Sequence, residues 1–544
     1  MITTGLDGLD GTSPDICVVG AGPVGISLAL ELARLGRRVL VLESGDAGPT
    51  AEAQALSDAD IADAKTHVAM EIAVQRGLGG TSNLWGGRCV PFEPIDFEAR
   101  PAVPHSGWPI TMDDVAPHYA QACAHIGCGA ADFRRALPGV PEGEFSFDKL
   151  ERWSREPRFA LLHGDGLRRH PDIDLRLQAT VTGLEFHADG RVARLSLRGP
   201  GGTTAGLTPR ATVLAAGGLE TTRLLLAARR DAPARFGGPD GPLGRFYMGH
   251  VYGVAAEMEI SPAVDAGIEY FQDGGNYIRR RFTPSAALQR REGLTNASLW
   301  PDYPLIRDAE HRNGVLSLAY LALSMPPVGR IIVAESIRQH YVGDGPSRLP
   351  HIANILRDLP RTAAFVPSFL YRRYVARPRM PGFFQRNAAR RYAIRFHAEH
   401  TPNPDSRVVL GSAVDAFGLP RLAIDLRYRR ADVDPLIRTH DLFGDWLRRT
   451  GTGTMRWLVP EAERADYILA QCYDGHHQIG TTRMGDTAET GVVDRDCRVF
   501  GAANLFVAGS SVFPTAGEAN PTLTAVALAM RLAGLLAHDV KGAA

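Results

Sequence analysis

The feature that most constrains the fold is a strand, a glycine turn and a helix close to the N-terminus, followed by a second strand. Residues 15–45, DICVVGAGPVGISLALELARLGRRVLVLESG, predict this βαβ unit. Gly20, Gly22 and Gly25 fall in the first turn, where the lack of a Cβ permits a tight turn, the approach of a pyrophosphate and close packing of helix on strand. Glu43 follows the second strand and can accept hydrogen bonds from a ribose. The unit predicts a site for an ADP-containing dinucleotide, either FAD or NAD.

The composition is that of an ordinary globular chain. The 544 residues include 60 basic and 60 acidic side chains, and 44% are hydrophobic. A chain without net charge is not expected to bind nucleic acid. Its six cysteines form no C-x-x-C pair, so no metal site is predicted. Because the chain also has no run of about 18 apolar residues, we expect a cytoplasmic protein that does not span a membrane.

A second glycine-rich stretch, RGLGGTSNLWGGRCVPF, occupies residues 76–92. Glycine at this density lets the backbone lie directly against a flat ligand, and the apolar residues around Trp85 argue against a flexible surface loop. A third glycine turn lies in ATVLAAGGLETTRLLL at 211–226, which predicts another strand, turn and helix. We expect both stretches to contact the cofactor. The alternating run at 174–186 predicts one further strand.

The C-terminal region combines a histidine pair with the start of a helix. The pair ends at His477 in the turn YDGHHQIGTTRMG, and a later Pro/Gly-rich segment leads to Asn520. Asn520, Pro521 and Thr522 predict a helix start, with Asn as the cap and Pro at the first helical position. The positive end of this helix favours an electron-rich partner beside Asn520. We therefore predict that this region carries the chemistry.

Residues 326–391 contain twelve arginines against three acidic residues, interleaved with aromatic side chains. The favoured interpretation is a solvated helical surface whose aromatic residues belong to the core. The alternative is a docking face for an anionic membrane or a phosphate-bearing partner.

Six motifs, in order along the chain, resemble those of the glucose-methanol-choline (GMC) oxidoreductases. They are GAGPVG with Glu43, GGTSNLWGG, VLAAGGLETTRLLL, PNPDSRVVLG, HHQIGTTRMG and NLFVAGSSVFPTAGEANPTLTAVALA. Within this family the chain is most similar to the bacterial branch near pyranose oxidases and the large subunits of fructose and gluconate dehydrogenases. The resemblance implies an α/β fold, in which a Rossmann-like FAD-binding domain, discontinuous in sequence, joins a substrate domain built on an antiparallel sheet.

The domain boundaries follow from these motifs. We predict an FAD-binding domain over 12–250, with 100–170 as a lid or substrate-side insertion. The substrate-binding domain is predicted over 251–464, and 465–544 returns to the FAD-binding domain with the catalytic residues.

The resemblance also implies roles for individual residues. His477 matches the family's catalytic histidine, Asn520 matches its second catalytic residue, and Val181 matches a position that meets adenine through backbone atoms. The residues predicted to bind the cofactor are Gly20, Gly22, Gly25, Glu43, Gly79, Gly80, Ser82, Asn83, Trp85, Gly86, Val181, Ala216, Gly217, Gly509, Ser510, Pro521 and Thr522.

One position departs from the family pattern. Several relatives bind FAD covalently through a histidine where this chain has Leu84, so we predict dissociable FAD. Four further residues receive lesser predicted roles. His476 supports His477, Arg483 ties the histidine turn together, and Glu399 and Glu518 are possible contacts at the rim of the site.

The resulting functional prediction is FAD-dependent oxidation of a CH–OH group, a secondary alcohol of a sugar, glycoside or cyclitol. A steroid, terpenoid or secondary-metabolite alcohol is the alternative substrate. Three other classes stay open: a flavin-containing hydroxynitrile lyase, an NAD enzyme that shares only the βαβ unit, and a flavin-bearing binding protein without turnover. The electron acceptor, whether oxygen, a quinone or a redox protein, is not predicted by any motif.

Overall fold

The computed structural model of the protein describes residues 1–303, 306–332, 338, 342, 347–382, 384–386 and 389–539. Parts of the Arg-rich segment 326–391 and the last five residues of the predicted C-terminal domain therefore lie outside the described residues.

A six-stranded parallel sheet forms the first half of the molecule. Four of its strands, Ile16–Val19, Val39–Leu42, Ala211–Leu214 and Leu505–Val507, are short, mostly apolar and buried along their whole length, as expected of a parallel sheet covered on both faces. In spatial order they are Ile2–Thr4, Ile173–Leu177, Val39–Leu42, Ile16–Val19, Ala211–Leu214 and Leu505–Val507. Strands that are distant in sequence thus lie side by side, and the first and last thirds of the chain share one core.

Two helices, one near each end of the chain, pack against each other beside this sheet. The helix Pro23–Arg34 starts directly after Gly22 with proline at its first position, and Gly36 at φ 78° ends it. The C-terminal helix Thr522–Asp539 packs against it. The apolar residues of both helices join the same core as the parallel strands. The two ends of the chain are therefore held together by one hydrophobic cluster.

The second half is organised around an antiparallel sheet. Its main path, in spatial order, is Gly453–Trp457, His250–Ile260, Arg391–Glu399, Ala297–Asp302, Asn276–Pro284, Phe145–Trp153 and Arg88–Cys89, and Phe271–Asp273 pairs with Asn276–Pro284. A separate hydrophobic cluster fills this part, with Phe282, Phe396 and Phe443 fully buried. Parallel and antiparallel sheets with separate cores confirm the predicted fold class.

The remaining elements cover these sheets. One three-stranded sheet comprises Thr204–Leu207, Val192–Arg198 and Thr180–Phe186. A second comprises Arg407–Val414, Pro420–Asp425 and Ala59–Ile61. The other α-helices are Ala51–Ala55, Met70–Ala73, Pro94–Phe97, Met112–Val115, Tyr119–Ile126, Phe159–Arg169, Gly218–Asp231, Pro262–Asp265, Ala286–Glu292, Gly314–Leu323, Pro326–Ile332, Leu349–Arg357, Leu359–Leu370, Arg430–Arg449 and Arg464–Leu469. No helix among the described residues is long and apolar enough to cross a membrane.

The structure differs from the predicted boundaries in three places. The strand Ile2–Thr4 joins the parallel sheet, so the FAD-binding half begins before residue 12. The strand Arg88–Cys89 joins the antiparallel sheet although it precedes the predicted insertion at 100–170, whereas Phe145–Trp153 does so from within it. The hairpin 407–425 was predicted in the substrate domain, but its buried residues belong to the parallel-sheet core.

The run at 174–186 was predicted as one strand and forms two. Gln178 adopts a positive φ of 54°, which breaks the extended backbone. Ile173–Leu177 therefore stays in the parallel sheet, whereas Thr180–Phe186 enters a three-stranded antiparallel sheet. This break brings Val181 to the cavity described next.

Candidate active site

A cavity of about 970 Å³ lies where the two halves meet. Its wall includes all the predicted cofactor residues except Gly25 and Gly79. Three helices begin at this wall, at Gly22, Gly217 and Thr522. The partial positive charge of these helix N-termini suits an anionic or electron-rich ligand.

Two of the three glycines in the turn at 20–25 have no room for a side chain. A Cβ on Gly20 would lie 2.5 Å from the carbonyl oxygen of Ala215, and one on Gly25 would lie 2.0 Å from that of Gly20. A Cβ on Gly22, in contrast, would meet no described atom within 4 Å and would stand at the cavity wall. Gly20 and Gly25 are thus required by packing, and Gly22 leaves open the space that a pyrophosphate needs.

Glu43 holds the loops around this turn. Its Oε2 accepts a hydrogen bond from the backbone N–H of Ala21 at 2.9 Å, and its Oε1 accepts from Gly45 and Gly77 at 2.8 and 3.1 Å. The carboxylate also lines the cavity. The carboxylate that is predicted to bind the ribose therefore already accepts three backbone N–H groups. In the structure, Glu43 joins the two glycine-rich segments.

The second glycine-rich segment packs directly on the first. Gly79, at φ 88°, donates its N–H to the carbonyl of Ala21 at 2.9 Å, and a Cβ on Gly80 would lie 3.0 Å from Cα of Gly22. Gly79 is not among the residues that line the cavity, and its contact with the cofactor stays a prediction. In the structure it turns the backbone so that Gly80 faces the first loop. A hydrogen bond from indole Nε1 of Trp85 to the carbonyl of Pro157, at 2.6 Å, helps to hold the second glycine-rich segment in place.

His477 and Asn520 meet at the far end of the cavity. Nδ2 of Asn520 lies 3.0 Å from Nε2 of His477, although the two residues are 43 positions apart. Because an amide nitrogen only donates, Nε2 is the acceptor, and the proton of the neutral ring resides on Nδ1. Oδ1 of Asn520 is buried and has no hydrogen-bond partner among the described residues. The pair thus presents a basic ring nitrogen and a free amide oxygen.

The same contact corrects the predicted helix cap. The C-terminal helix begins at Thr522, and the side chain of Asn520 is turned to His477 instead of to the helix backbone. The helix N-terminus nevertheless lies at the cavity, as predicted, because Pro521 and Thr522 line it.

A buried carboxylate, Asp474, stands behind His477. Its Oδ2 lies 3.2 Å from Nδ1 of His477, and its Oδ1 accepts from the backbone N–H groups of Gly475, His476 and His477. Burial alone would raise the pKa of Asp474, but the adjacent histidines, led by His477, outweigh it and hold that pKa well below its usual range. A fixed negative charge therefore faces Nδ1 of His477.

Two histidines from the antiparallel sheet complete the cluster. Nδ1 of His250 lies 2.9 Å from Nδ1 of His477, and the rings of His250 and His397 stack at 4.3 Å. Burial lowers the pKa of both well below the usual value, and the neighbouring histidines lower it further. Nitrogens of these three residues lie within 4.8 Å of one another, a spacing that could hold a metal ion. Nδ1 of His397 donates to the carbonyl of Glu518 at 2.6 Å, whereas Nε2 of His250 is buried and has no hydrogen-bond partner among the described residues.

Sequence patterns do not reveal this cluster. His250 and His397 are separated by 147 positions and carry no motif spacing. They meet because strands His250–Ile260 and Arg391–Glu399 are paired, with Tyr252 opposite His397. Asp474 was detectable in principle, since it lies three residues before His477 in a turn, where a side-chain carboxylate commonly accepts from the following backbone N–H groups.

The four lesser predictions have mixed outcomes. His476 lines the cavity, but its Nε2 has no partner among the described residues, and its supporting role stays a prediction. Glu399 and Glu518 were predicted at the rim and are instead buried in ion pairs, with Arg100 and Arg281 respectively. Long-range pairing of buried charges, which sequence spacing does not show, explains the difference.

Arg483 also differs from its prediction. Its guanidinium does not tie the histidine turn together, since it donates to the carbonyl of His105 at 2.6 Å and lies over the ring of Phe246 at 4.4 Å. Burial lowers its pKa to about 10.

The end of the cavity beyond His477 is polar and aromatic. It is lined by Trp300, Tyr252, Tyr473, Arg88 and Arg395. The Arg88 guanidinium lies 5.1 Å from the Trp300 ring and forms an ion pair with the buried Glu151. Such a surface offers hydrogen bonds and flat apolar faces together, a combination suited to a ligand that carries several hydroxyl groups.

Fold and cavity together define the class of the protein. A parallel sheet with a glycine turn at a helix N-terminus, an acidic residue after the second strand and a His/Asn pair at the opposite end of the same cavity are the features of a dinucleotide-dependent oxidoreductase.

The comparisons with known proteins narrow this class. Residues 402–529 match the GMC oxidoreductase family, and residues 15–284 match the FAD dependent oxidoreductase family. The 6'''-hydroxyparomomycin C oxidase of Streptomyces lividus is 26% identical over 98% of this chain and 94% of its own length. The fructose dehydrogenase large subunit of Gluconobacter japonicus is 21% identical over 97% of this chain and 98% of its own length.

Other similarities are shorter or structural. Paromamine 6'-oxidase of Streptomyces fradiae is 36% identical, but the match spans only 26% of this chain and 25% of that protein. The solved structure of a fungal aryl-alcohol oxidase superposes with a TM-score of 0.52 at 14% identity, covering 97% of this chain and 99% of the other, and supports the fold alone. The chain belongs to the GMC oxidoreductase family, as predicted, and its dinucleotide is FAD.

Proposed function

We propose that the protein oxidises a CH–OH group of a sugar, glycoside or aminocyclitol to the carbonyl, with FAD bound non-covalently. The observation that carries the proposal is the contact between Nε2 of His477 and the amide of Asn520 at the cavity wall, with Asp474 behind the imidazole. A base, an oxygen-binding group and a fixed charge are thereby aligned for removal of a hydroxyl proton.

The cofactor fits the residues present. Gly20, Gly22 and Glu43 would hold the ADP part, and the start of the helix Thr522–Asp539 would lie at the isoalloxazine end. Leu84 lines the cavity and has no nucleophilic atom, which supports non-covalent binding. FAD, when bound, supplies the acceptor for the hydride that leaves the substrate carbon.

The protein's own residues handle the proton. In the proposed step, Nε2 of His477 accepts the proton of the substrate hydroxyl while its Nδ1–H faces Oδ2 of Asp474. The anionic Asp474 stabilises the imidazolium that forms. The substrate hydroxyl takes the place of the Asn520 amide at Nε2, and Asn520, whose Nδ2 lies 3.0 Å from that nitrogen, then donates to the substrate oxygen and orients it. As the carbon loses hydride and the oxygen loses its proton, the substrate becomes the carbonyl product.

The substrate class rests on the polar, aromatic end of the cavity and on two relatives. The proteins named 6'''-hydroxyparomomycin C oxidase and fructose dehydrogenase large subunit align over nearly the whole chain. Both names refer to polyhydroxylated compounds. Arg88, Arg395 and Tyr252 at the cavity wall can hydrogen-bond to several hydroxyls, and a polyhydroxylated compound offers more such contacts than a steroid or terpenoid.

An anaerobic flavin assay tests the function. Purified holoenzyme is mixed without oxygen with sugars, glycosides, aminocyclitols and hydrophobic alcohols, and visible flavin absorbance is followed. Bleaching by a polyhydroxylated compound is expected, and bleaching by a hydrophobic alcohol alone would refute the substrate class. A cyanohydrin cleaved without bleaching would identify a lyase. Readmission of air then shows whether oxygen is the electron acceptor.

Acid precipitation tests the mode of FAD binding. The yellow colour is expected in the supernatant after denaturation, because Leu84 cannot form a covalent link. Colour that stays on the pellet after thorough washing would contradict non-covalent binding.

A further inference from the structure

Exposed apolar side chains are concentrated in one part of the surface. Of the fifteen large hydrophobic residues that are exposed among those described, eleven lie between Met325 and Val375. The elements concerned are the helices Pro326–Ile332, Leu349–Arg357 and Leu359–Leu370 and the turn Tyr371–Val375. Isolated exposed hydrophobic residues are normal on protein surfaces, but a cluster of this size marks an interaction site.

The helix Leu349–Arg357 is turned with its polar side inward. Its buried residues are His351 and Asn354. Nδ1 of His351 lies 3.1 Å from Oγ of Ser317, and the amide of Asn354 donates to the carbonyl of Ala309 at 2.7 Å. An amphipathic helix on a water-exposed surface has the reverse orientation, with its apolar side on the core.

The apolar side of this helix faces outward. Leu349, Ile352 and Leu356 follow the spacing of one helical stripe, and all three are exposed, Leu349 to 74%. The next helix repeats the inversion. Thr362 is the one buried residue of Leu359–Leu370, although most of that helix is apolar. We call these exposed side chains, together with Ile331 and Val375, the inverted helical face.

Arginines lie on and around the inverted helical face. The segment 326–391 has twelve arginines and three acidic residues. Arg348, Arg357 and Arg372 are exposed, and none of them forms an ion pair with any described residue. A surface that combines outward apolar side chains with unpaired charge of one sign matches a bilayer of anionic phospholipid, where acyl chains lie beneath phosphate groups.

The face adjoins the mouth of the active-site cavity. Arg330, Ile331 and Arg373 line the cavity, and Ile331 is at the same time 75% exposed. The hydroxyl of Tyr374 donates to the carbonyl of Ile331 at 3.4 Å and connects the turn 371–375 to this rim. A contact made by the inverted helical face would therefore bring the cavity entrance close to the contacted surface.

We propose that the inverted helical face docks on an anionic phospholipid membrane. Its leucines and isoleucines enter the headgroup and upper acyl region, its arginines pair with lipid phosphates, and the cavity entrance at Ile331 lies beside the bilayer. The protein lies on the membrane without crossing it, in agreement with the lengths of its described helices. A second protein molecule fits less well, because two copies would bring like charges together.

Vesicle flotation with the full-length holoenzyme tests the proposal. Vesicles of phosphatidylcholine alone are compared with vesicles of equal parts phosphatidylcholine and phosphatidylglycerol at physiological ionic strength. The double variant Leu356→Asp, Arg361→Glu changes the face. Arg361 is exposed in the first turn of the helix Leu359–Leu370, where glutamate is tolerated. The control variant Leu161→Asp, Arg169→Glu makes the same changes on another exposed helix, Phe159–Arg169.

Wild type and control are expected to float with the anionic vesicles and to stay behind with the neutral ones. The face variant should bind the anionic vesicles about tenfold more weakly, because it loses apolar contact and reverses a charge. Circular dichroism and flavin absorbance establish that each variant is folded. The proposal is overturned if wild type ignores anionic vesicles, if both variants lose binding equally, or if the face variant instead abolishes a dimer seen by light scattering. None of these readouts depends on catalytic turnover.

Discussion

Nδ1 of His477 lies 3.2 Å from Oδ2 of Asp474, a carboxylate whose side chain is 1% exposed. The other oxygen of Asp474 accepts three successive backbone N–H groups, so the carboxylate is held rigidly and stays ionised. Nε2 of His477 is left to face Asn520 and the cavity. The position of one buried charge thus determines which ring nitrogen can act as a base.

Replacement of Asp474 by asparagine should separate this electrostatic role from the shape of the turn. Asparagine can still accept the three N–H groups through its oxygen, but its amide would donate towards Nδ1 of His477 and favour the wrong tautomer. We expect flavin reduction by substrate to slow by about 10²-fold or more, with little change in the substrate concentration for half-saturation. Rapid-mixing absorbance measures this rate, and a rate close to wild type would remove Asp474 from the mechanism.

His477 and His476 form a matched pair for alanine substitution. His477→Ala removes the proposed base and should slow flavin reduction by roughly 10²-fold or more. His476→Ala changes a neighbouring cavity residue whose Nε2 has no partner among the described residues, and its effect should be much smaller. The assignment of the base to His477 fails if the His476 variant is the slower of the two.

The sequence predicted the nucleotide-binding elements well because their constraints are local. A glycine turn between a buried strand and a helix leaves few alternatives, and Gly20, Gly22 and Glu43 lie at one cavity wall as expected. Gly79 has a positive φ, and because a positive φ and a close ligand contact both favour glycine, the sequence does not distinguish the two roles.

The rest of the site depends on long-range pairing. His250 and His397 approach His477 only through the register of two antiparallel strands, and Glu399 is paired with Arg100 from a distant segment. The orientation of the helix Leu349–Arg357 could not be predicted from the sequence either. Its amphipathic pattern predicts two sides, but only packing decides that His351 faces inward and Leu356 outward.

The two glycines of the first turn should respond differently to alanine. Gly25→Ala places a Cβ 2.0 Å from the carbonyl oxygen of Gly20, so the protein should be destabilised with or without FAD. Gly22→Ala meets no described atom within 4 Å, so the apoprotein should keep its thermal stability and lose FAD affinity. Thermal unfolding of the apoproteins and flavin-to-protein ratios of the holoproteins measure both effects. Equal destabilisation of the two apoproteins would contradict the assignment.

His440 provides a test of stability against pH. It is fully buried between Phe396 and Trp457, and burial lowers its pKa from 6.5 to about 4. Both the folded and unfolded states hold it neutral above pH 6.5. Between that pH and about 4 only the unfolded state takes up the proton, so the free energy of unfolding falls as the pH falls.

The substitution His440→Leu removes the group that is protonated and puts an apolar side chain of similar size in its place. Relative to the variant, wild type should lose about 2 kcal/mol of stability between pH 7 and pH 5, since each pKa unit corresponds to about 1.4 kcal/mol. Denaturant titration of both proteins across this range measures the difference in their free energies of unfolding. The contributions of the other buried histidines are common to both proteins and cancel in this difference. A difference that stays constant with pH would show that His440 titrates alike in the folded and unfolded states.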